Sequence, residues 1–345
     1  MRRPTKWLAV LGVGALVVIG TAVWLAGQPV IDRFVSRWVP PNVPPGTEES
    51  ATPEQEALRQ LGKDVRGRLL WASNRGGNHD LYEADLSSGA VRPLTRHPHV
   101  DFFGRYSPDG ERILFLRSRK TWTSFREIDG WDLHVMNADG SSERRVAERA
   151  YHPAWAGGAH VTFLRDNRVI AVDPAGGGEK EWHNGESPPT EGQIGDPEPG
   201  PDRRLAVSLR GVPRSRRGVG VLSLDEGRYQ PVSDSPSACH VGWTPSGGLV
   251  WVTSDGHGGT RVMHAPRPGG AVDVLMDLPG RYSHEYFPRL SPDGQWLLWG
   301  AAAEGHEHDR ADYELFAWRI GSPWETALRL TYSEANDQWP DLRLD

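Results

Sequence analysis

The stretch Tyr106-Ser107-Pro108-Asp109-Gly110 returns as Leu290-Ser291-Pro292-Asp293-Gly294, and what recurs around these two copies restricts the chain to very few folds. Proline presets φ at the second turn position, aspartate can fold its carboxylate onto its own backbone, and glycine takes the positive-φ corner. Ser-Pro-Asp-Gly between apolar runs therefore closes a tight hairpin. Degenerate copies occur at Trp155-Ala156-Gly157-Gly158, Pro199-Gly200-Pro201-Asp202, Trp243-Thr244-Pro245-Ser246-Gly247 and Leu342-Arg343-Leu344-Asp345. Anchored on Ser107, Ala156, Gly200, Thr244, Ser291 and Arg343, the steps are about 49, 44, 44, 47 and 52 residues, the period of β-propeller blades. Six anchors predict six blades.

Each anchor precedes a strand rich in aromatic or β-branched residues, such as Leu69-Leu70-Trp71-Ala72, Ile113-Leu114-Phe115-Leu116 and Leu297-Leu298-Trp299-Gly300. A second strand follows, as at Asp80-Leu81-Tyr82 and Tyr313-Glu314-Leu315-Phe316. Turn clusters such as Asn137-Ala138-Asp139-Gly140 then lead to a short outer strand ending in Pro93-Leu94-Thr95 or Arg329-Leu330-Thr331. Four short antiparallel strands per repeat make a propeller blade, so the fold class is all-β. The segment Trp339 to Leu344 matches an innermost strand, and the strand due after it is Arg68 to Ser73. Blade 1 is thus expected to be built from both ends of the chain, pairing edges that would otherwise stay open.

Ser-Pro-Asp-Gly, the run from Ser73-Asn74-Arg75-Gly76-Gly77 to Asp80-Leu81-Tyr82, and Leu94-Thr95 together resemble the WD-repeat-like units of TolB-like propellers. The resemblance spans about Arg68 to Asp345, strongest in blades 1, 2 and 6. It implies the six-bladed fold and a periplasmic setting, while similar units also form the gating propellers of prolyl oligopeptidase-like enzymes. TolB-like proteins carry a small α/β domain ahead of the propeller, where this sequence reads as a linker.

Trp7 to Gly27 is a run of about 21 residues without a charge, enough to cross a bilayer as a helix. Leu25-Ala26-Gly27 is a poor cleavage site, so an uncleaved anchor is expected. Arg2, Arg3 and Lys6 before it favour a cytoplasmic tail at residues 1–6 and a propeller outside a cytoplasmic (inner) membrane that the chain crosses once. Residues 28–66 read as a Pro-rich linker, with one short helix over Glu54 to Leu61 that Thr52-Pro53 caps. Residues 67–345 are left for the propeller. A net charge of −6 argues against nucleic-acid binding, and the single cysteine, Cys239, excludes an intramolecular disulfide framework. In an oxidising compartment that lone thiol is expected to be buried.

In a four-stranded blade the turns after strands one and three leave one face of the ring, and the longer connections leave the other, where binding residues are expected. Aligning the six blade-opening segments places Phe103, His152, Asp196, His240, Phe287 and Trp339 at the mouth of the central channel. Two residues earlier stand the carboxylates Asp101, Glu285 and Asp337, from consecutive blades 2, 6 and 1. They either cap turns and bind backbone amides between blades or form an acidic mouth for a basic peptide or a metal. The blade 2 excursion Arg117 to Gly130 offers Trp122, Phe125 and Arg126, the residue types of interface anchors, unless Trp122 folds back on its own blade. Blade 6 offers His306, Glu307, His308, Asp309 and Asp312, either a solvated loop or a weak zinc-type ligand set. Blade 4 offers Arg210, Arg214, Arg216 and Arg217, most simply a solvated charge run.

No Gly-x-Ser-x-Gly, phosphate-binding glycine loop, Cys-x-x-Cys or His-Glu-x-x-His occurs. The expected function is a monomeric, non-catalytic scaffold for a protein or peptide of the cell envelope, without a cofactor. A channel lyase or hydrolase of a carbohydrate or lactone, using His152, Asp196 and His240 with a metal such as Ca or Zn, is the alternative. A structural envelope component is the third reading.

Overall fold

The Ser-Pro-Asp-Gly turns close as their residues require. In the computed structural model, which describes residues 52–211, 217–303 and 307–345, Gly110 and Gly294 have φ of 74° and 70°. In blade 2, Gly110 N donates to Ser107 O at 2.8 Å, Glu111 N to Asp109 Oδ1 at 3.1 Å and Arg112 N to Ser107 Oγ at 2.9 Å. The blade 6 copy repeats the same three bonds through Ser291, Asp293 and Trp296. A turn with its own bonds satisfied fixes the register of the strands it joins.

Those strands form six antiparallel sheets of four. Blade 2 runs Asp101–Tyr106, Arg112–Ser118, Trp131–Asn137 and Arg144–Ala147, and the other blades follow this order outward from the axis. Blade 1 takes its innermost strand from the tail: Asp337–Leu344 pairs with Gly67–Ser73, with Arg68 opposite Arg343 and Ser73 opposite Asp337. The ring closes as the sequence pattern requires.

One aligned position in the second strands fills the space between blades. Trp71, Phe115, Phe163, Val207, Trp251 and Trp299 occupy it in blades 1 to 6, all fully buried. Large flat side chains at a repeating site bury much apolar area, and truncating one to alanine costs about 3–5 kcal/mol.

The helix Thr52–Leu61 is no free spacer. Leu58, Leu61 and Val65 join a buried cluster with Leu69 and Trp71 of blade 1 and Leu298, Leu315 and Leu330 of blade 6. Glu54 is buried against Arg75 at 2.7 Å. The segment read as part of a linker is therefore docked on the propeller from Thr52 onward, because its apolar face completes the groove between the first and last blades. The expected membrane anchor at residues 7–27 lies outside the described residues. Among the described residues, no helix is long and apolar enough to cross a membrane.

Candidate binding site in the central channel

All six innermost strands carry the same irregularity. Their pairing shifts register at Phe103, His152, Asp196, His240, Phe287 and Trp339, and each of these has a positive φ between 45° and 58°. Positive φ favours glycine, yet none of the six is glycine, so the backbone carries a cost of order 1 kcal/mol at each. A bulge re-aims the side chain beside it, and here it turns all six into the channel. The six aligned positions line one cavity on the axis.

Phe103 stacks on Trp339 with centroids 3.8 Å apart, and Phe287 lies 4.1 Å from Trp339. Opposite these aromatics, His152 Nδ1 is 3.2 Å and His240 Nδ1 3.9 Å from Asp196 Oδ1, while His240 N donates to Asp196 Oδ2 at 3.0 Å. Burial pushes both histidines below their ordinary pKa, His240 to about 4, so the imidazoles are neutral at pH 7. Burial alone would raise Asp196, but the two histidines and the His240 N–H outweigh it and hold the carboxylate ionised.

Two residues further along each strand lies a second tier that the sequence reading missed. Glu198 of blade 4 reaches across the axis to Arg105 of blade 2 and to Arg289 of blade 6, the latter at 3.1 Å. Arg289 Nε also meets Asp341 of blade 1 at 3.1 Å. The signal was available as the i+2 continuation of the same alignment. Between the aromatic ring and this ion-pair belt remains a cavity of about 40 Å³, room for a few waters.

The long-loop face of the ring is closed by the chain itself. Phe125 from the blade 2 loop lies 5.4 Å from Trp339 and 5.7 Å from Phe103. Asp309 of blade 6 accepts from Ser124 Oγ at 2.6 Å and from Phe125 N at 2.9 Å, and Arg126 pairs with Glu307. Trp122 is half-buried against the core. The expected interface loop is thus occupied with the channel.

Asp101, Glu285 and Asp337 do not line the mouth; all three are fully buried. They precede the register shift, so they point into the blades. Asp101 takes two bonds from Arg117 at 2.7 and 2.8 Å, and Asp337 binds Arg75 and Trp71 Nε1 at 3.1 Å each. Glu285 accepts from Leu278 N at 2.7 Å and Thr260 Oγ1 at 3.2 Å. This corrects the acidic-mouth reading in favour of the structural one. It also carries a pH consequence. Burial pushes Glu285 from an ordinary 4.5 up to about 7, so the unfolded chain ionises first as pH rises. The stability that neutral Glu285 supplies is full below about pH 4.5 and is lost as pH rises through about 7. Glu285→Gln is expected to remove about 3 kcal/mol of that decline, read as urea midpoints at pH 5 and 7.5. An identical pH slope in both proteins would show that Glu285 is ionised throughout.

The blade 6 set is likewise engaged. His306 lies outside the described residues, as do Arg214 and Arg216 of blade 4. The His308 ring packs 5.3 Å from Phe125 and its carbonyl accepts from Asn336 Nδ2 at 2.8 Å. Among the described residues, no group of three or more His, Cys, Asp or Glu side chains is placed to hold a metal ion. Cys239 is half-buried, and burial pushes its thiol well above the ordinary value, so it is no thiolate nucleophile.

No protein-family model and no curated protein matches the chain in sequence. Among solved structures it is similar to TolB from Acinetobacter baumannii, at TM-score 0.61 and 14% identity, over 81% of this chain and 67% of that one. It is similar to a putative TolB from Agrobacterium tumefaciens at TM-score 0.54 and 13% identity, over 81% of this chain and 99% of that one. Kuenenia stuttgartiensis hydrazine synthase matches at TM-score 0.56 and 14% identity, over 88% of this chain but 50% of that one. At such identities the likeness carries the TolB-like propeller fold and no activity.

Proposed function

We propose that this chain, a propeller of TolB-like fold, is a non-catalytic module that holds a protein or peptide of the cell envelope. Residues 7–27 anchor it in the cytoplasmic membrane with the propeller on the outer side. The observation that supports a scaffold over a channel enzyme is the filling of the channel by its own side chains. About 40 Å³ is left there, against the roughly 300–1,000 Å³ of ordinary small-molecule sites. Exposed Tyr332 and Ile128 give the long-loop face further apolar contact area, so a partner is read as docking there.

A second reading has one specific observation behind it. Asp196 orients His152 through Nδ1 at 3.2 Å, which leaves a neutral imidazole able to act as a base. Peptide display against the purified chain, run beside turnover assays on glycan and lactone panels with and without added divalent metal, separates the two. Enriched peptides that bind the wild type and lose at least about tenfold in affinity to the double variant Ile128→Ala, Tyr332→Ala are expected, in line with loss of apolar contact on the docking face. Turnover that Asp196→Asn or His152→Ala abolishes, with no peptide enriched, would replace the scaffold by the enzyme. In cells, the full chain is expected in carbonate-washed membranes; its recovery in the soluble fraction would remove the anchor.

A further inference from the structure

Residues 119–130 leave blade 2 and rejoin it at a single neck, where Arg119 N donates to Gly130 O at 2.8 Å. Between those points the loop pairs with no strand and holds itself by two turns, Glu127 N to Ser124 O and Gly130 N to Glu127 O, both 2.9 Å. Its tip is fastened from other blades. Asp309 of blade 6 takes the Ser124 hydroxyl and the Phe125 N–H, and Tyr151 of blade 3 donates its hydroxyl to Phe125 O at 2.6 Å. Ile128, by contrast, is 50% exposed. The loop is therefore a compact unit that can leave without breaking any ladder bond of its blade.

The floor beneath it is not the floor of an apolar filler. Trp339, only 7% exposed, lines the channel cavity with an indole Nε1 that has no hydrogen-bond partner among the described residues. The buried Tyr313 hydroxyl, from the blade 6 strand beside the ring, is also without one. Asp196, ionised between two neutral histidines, lines the same cavity. A Trp indole and an ionised carboxylate thus line the space that the phenyl ring of Phe125 caps, and a phenyl ring can hydrogen-bond to neither.

We infer that the blade 2 loop is a releasable plug, an autoinhibitory contact in which Phe125 stands in the channel mouth until Asp309 lets go and the loop swings out about its neck. Release is a property of this chain alone; only the identity of what then enters rests on the binding function proposed above.

Native-state hydrogen exchange of the full chain in a urea series tests it. The Phe125 amide is expected to exchange at least about tenfold faster than the amides of the Arg112–Ser118 strand, with little urea dependence, because local opening exposes little surface. Asp309→Ala removes the Ser124 and Phe125 bonds and leaves those of Tyr151 with Phe125 and of Arg126 with Glu307. It is expected to speed that exchange by a further factor of about 10–100 and to raise hydroxyl-radical labelling of Trp339, with the strand amides unmoved. If residues 119–130 of the wild type exchange only with global unfolding, at the strands' own urea dependence, the loop is a fixed part of the blade and the inference is overturned. The wild-type series decides even where Asp309→Ala does not fold. A failed peptide selection combined with fast local exchange would sink the binding function and leave the plug standing.

Discussion

Replacing Arg75 by methionine is expected to lower the folding free energy by about 3–5 kcal/mol, the range for removing one partner of a buried ion pair. The guanidinium is 2% exposed. It binds Glu54 of the N-terminal helix at 2.7 Å and Asp337 of the closing strand at 3.1 Å, and it lies 5.3 Å from the centroids of both Trp71 and Tyr82. Burial alone would lower its pKa, but Asp337 and Glu54 outweigh that and raise it, so it is charged at every accessible pH. Methionine keeps the apolar contact with the rings and leaves two carboxylates buried without their cation. At about 2–4 °C per kcal/mol for a domain of this order of size, the melting temperature should fall by roughly 10 °C. Adding Glu54→Leu should recover part of the loss, because one orphaned charge goes with it. A melting temperature within about 2 °C of the wild type would mean that the carboxylates reach water and that helix docking contributes little.

Glu198→Gln should cost a similar amount, about 3–5 kcal/mol, for the converse reason. One carboxylate joins two guanidiniums from blades 2 and 6 across the axis, and without its charge, among the described residues, Arg105 keeps no paired anion while Arg289 keeps only Asp341. The backbone around it is tied in as well, since Trp243 Nε1 donates to Glu198 O at 2.9 Å. Burial would raise Glu198, but Arg105 and Arg289 outweigh it and hold it below the ordinary carboxylate value. The unfolded chain therefore takes up this proton first as pH falls. The wild-type advantage should be full at pH 7, begin to shrink near the unfolded carboxylate value of about 4.3 and vanish below the folded one. Denaturant midpoints of the two proteins at pH 7 and pH 3.5 check this; a gap that stays constant with pH would place the loss in packing instead of charge.

The architecture was legible because the turn chemistry repeats. Ser107-Pro108-Asp109-Gly110 and its weaker copies fixed the blade count, and Trp339 to Leu344 announced the closing strand by matching Asp101 to Tyr106. The same alignment found the ring from Phe103 to Trp339, since a bulge shared by six strands leaves its residues in one column. It left Asp101, Glu285 and Asp337 open between a structural role and the mouth, because a register shift reverses which side a residue faces and leaves no mark in a column of letters. The plug lay beyond sequence reasoning for another reason. Asp309 and Phe125 are 184 residues apart, and no local propensity tells a loop which distant backbone it will latch. The helix at Thr52–Leu61 was recognised from its cap, but its docking depends on a groove that exists only after the ring has shut.

That shutting has a temporal side. One eight-residue strand, Asp337–Leu344, brings the counter-ion of Arg75, the indole of the aromatic ring and the acid that steadies Arg289. The Trp71 indole waits for an acceptor 266 residues downstream, on the order of 10–50 s of ribosome time at ordinary elongation speeds. During that interval blade 1 exposes a raw flank and the pore has no final wall. A nascent chain of this design commits late, and until its tail emerges its first sheet needs shelter from other strands.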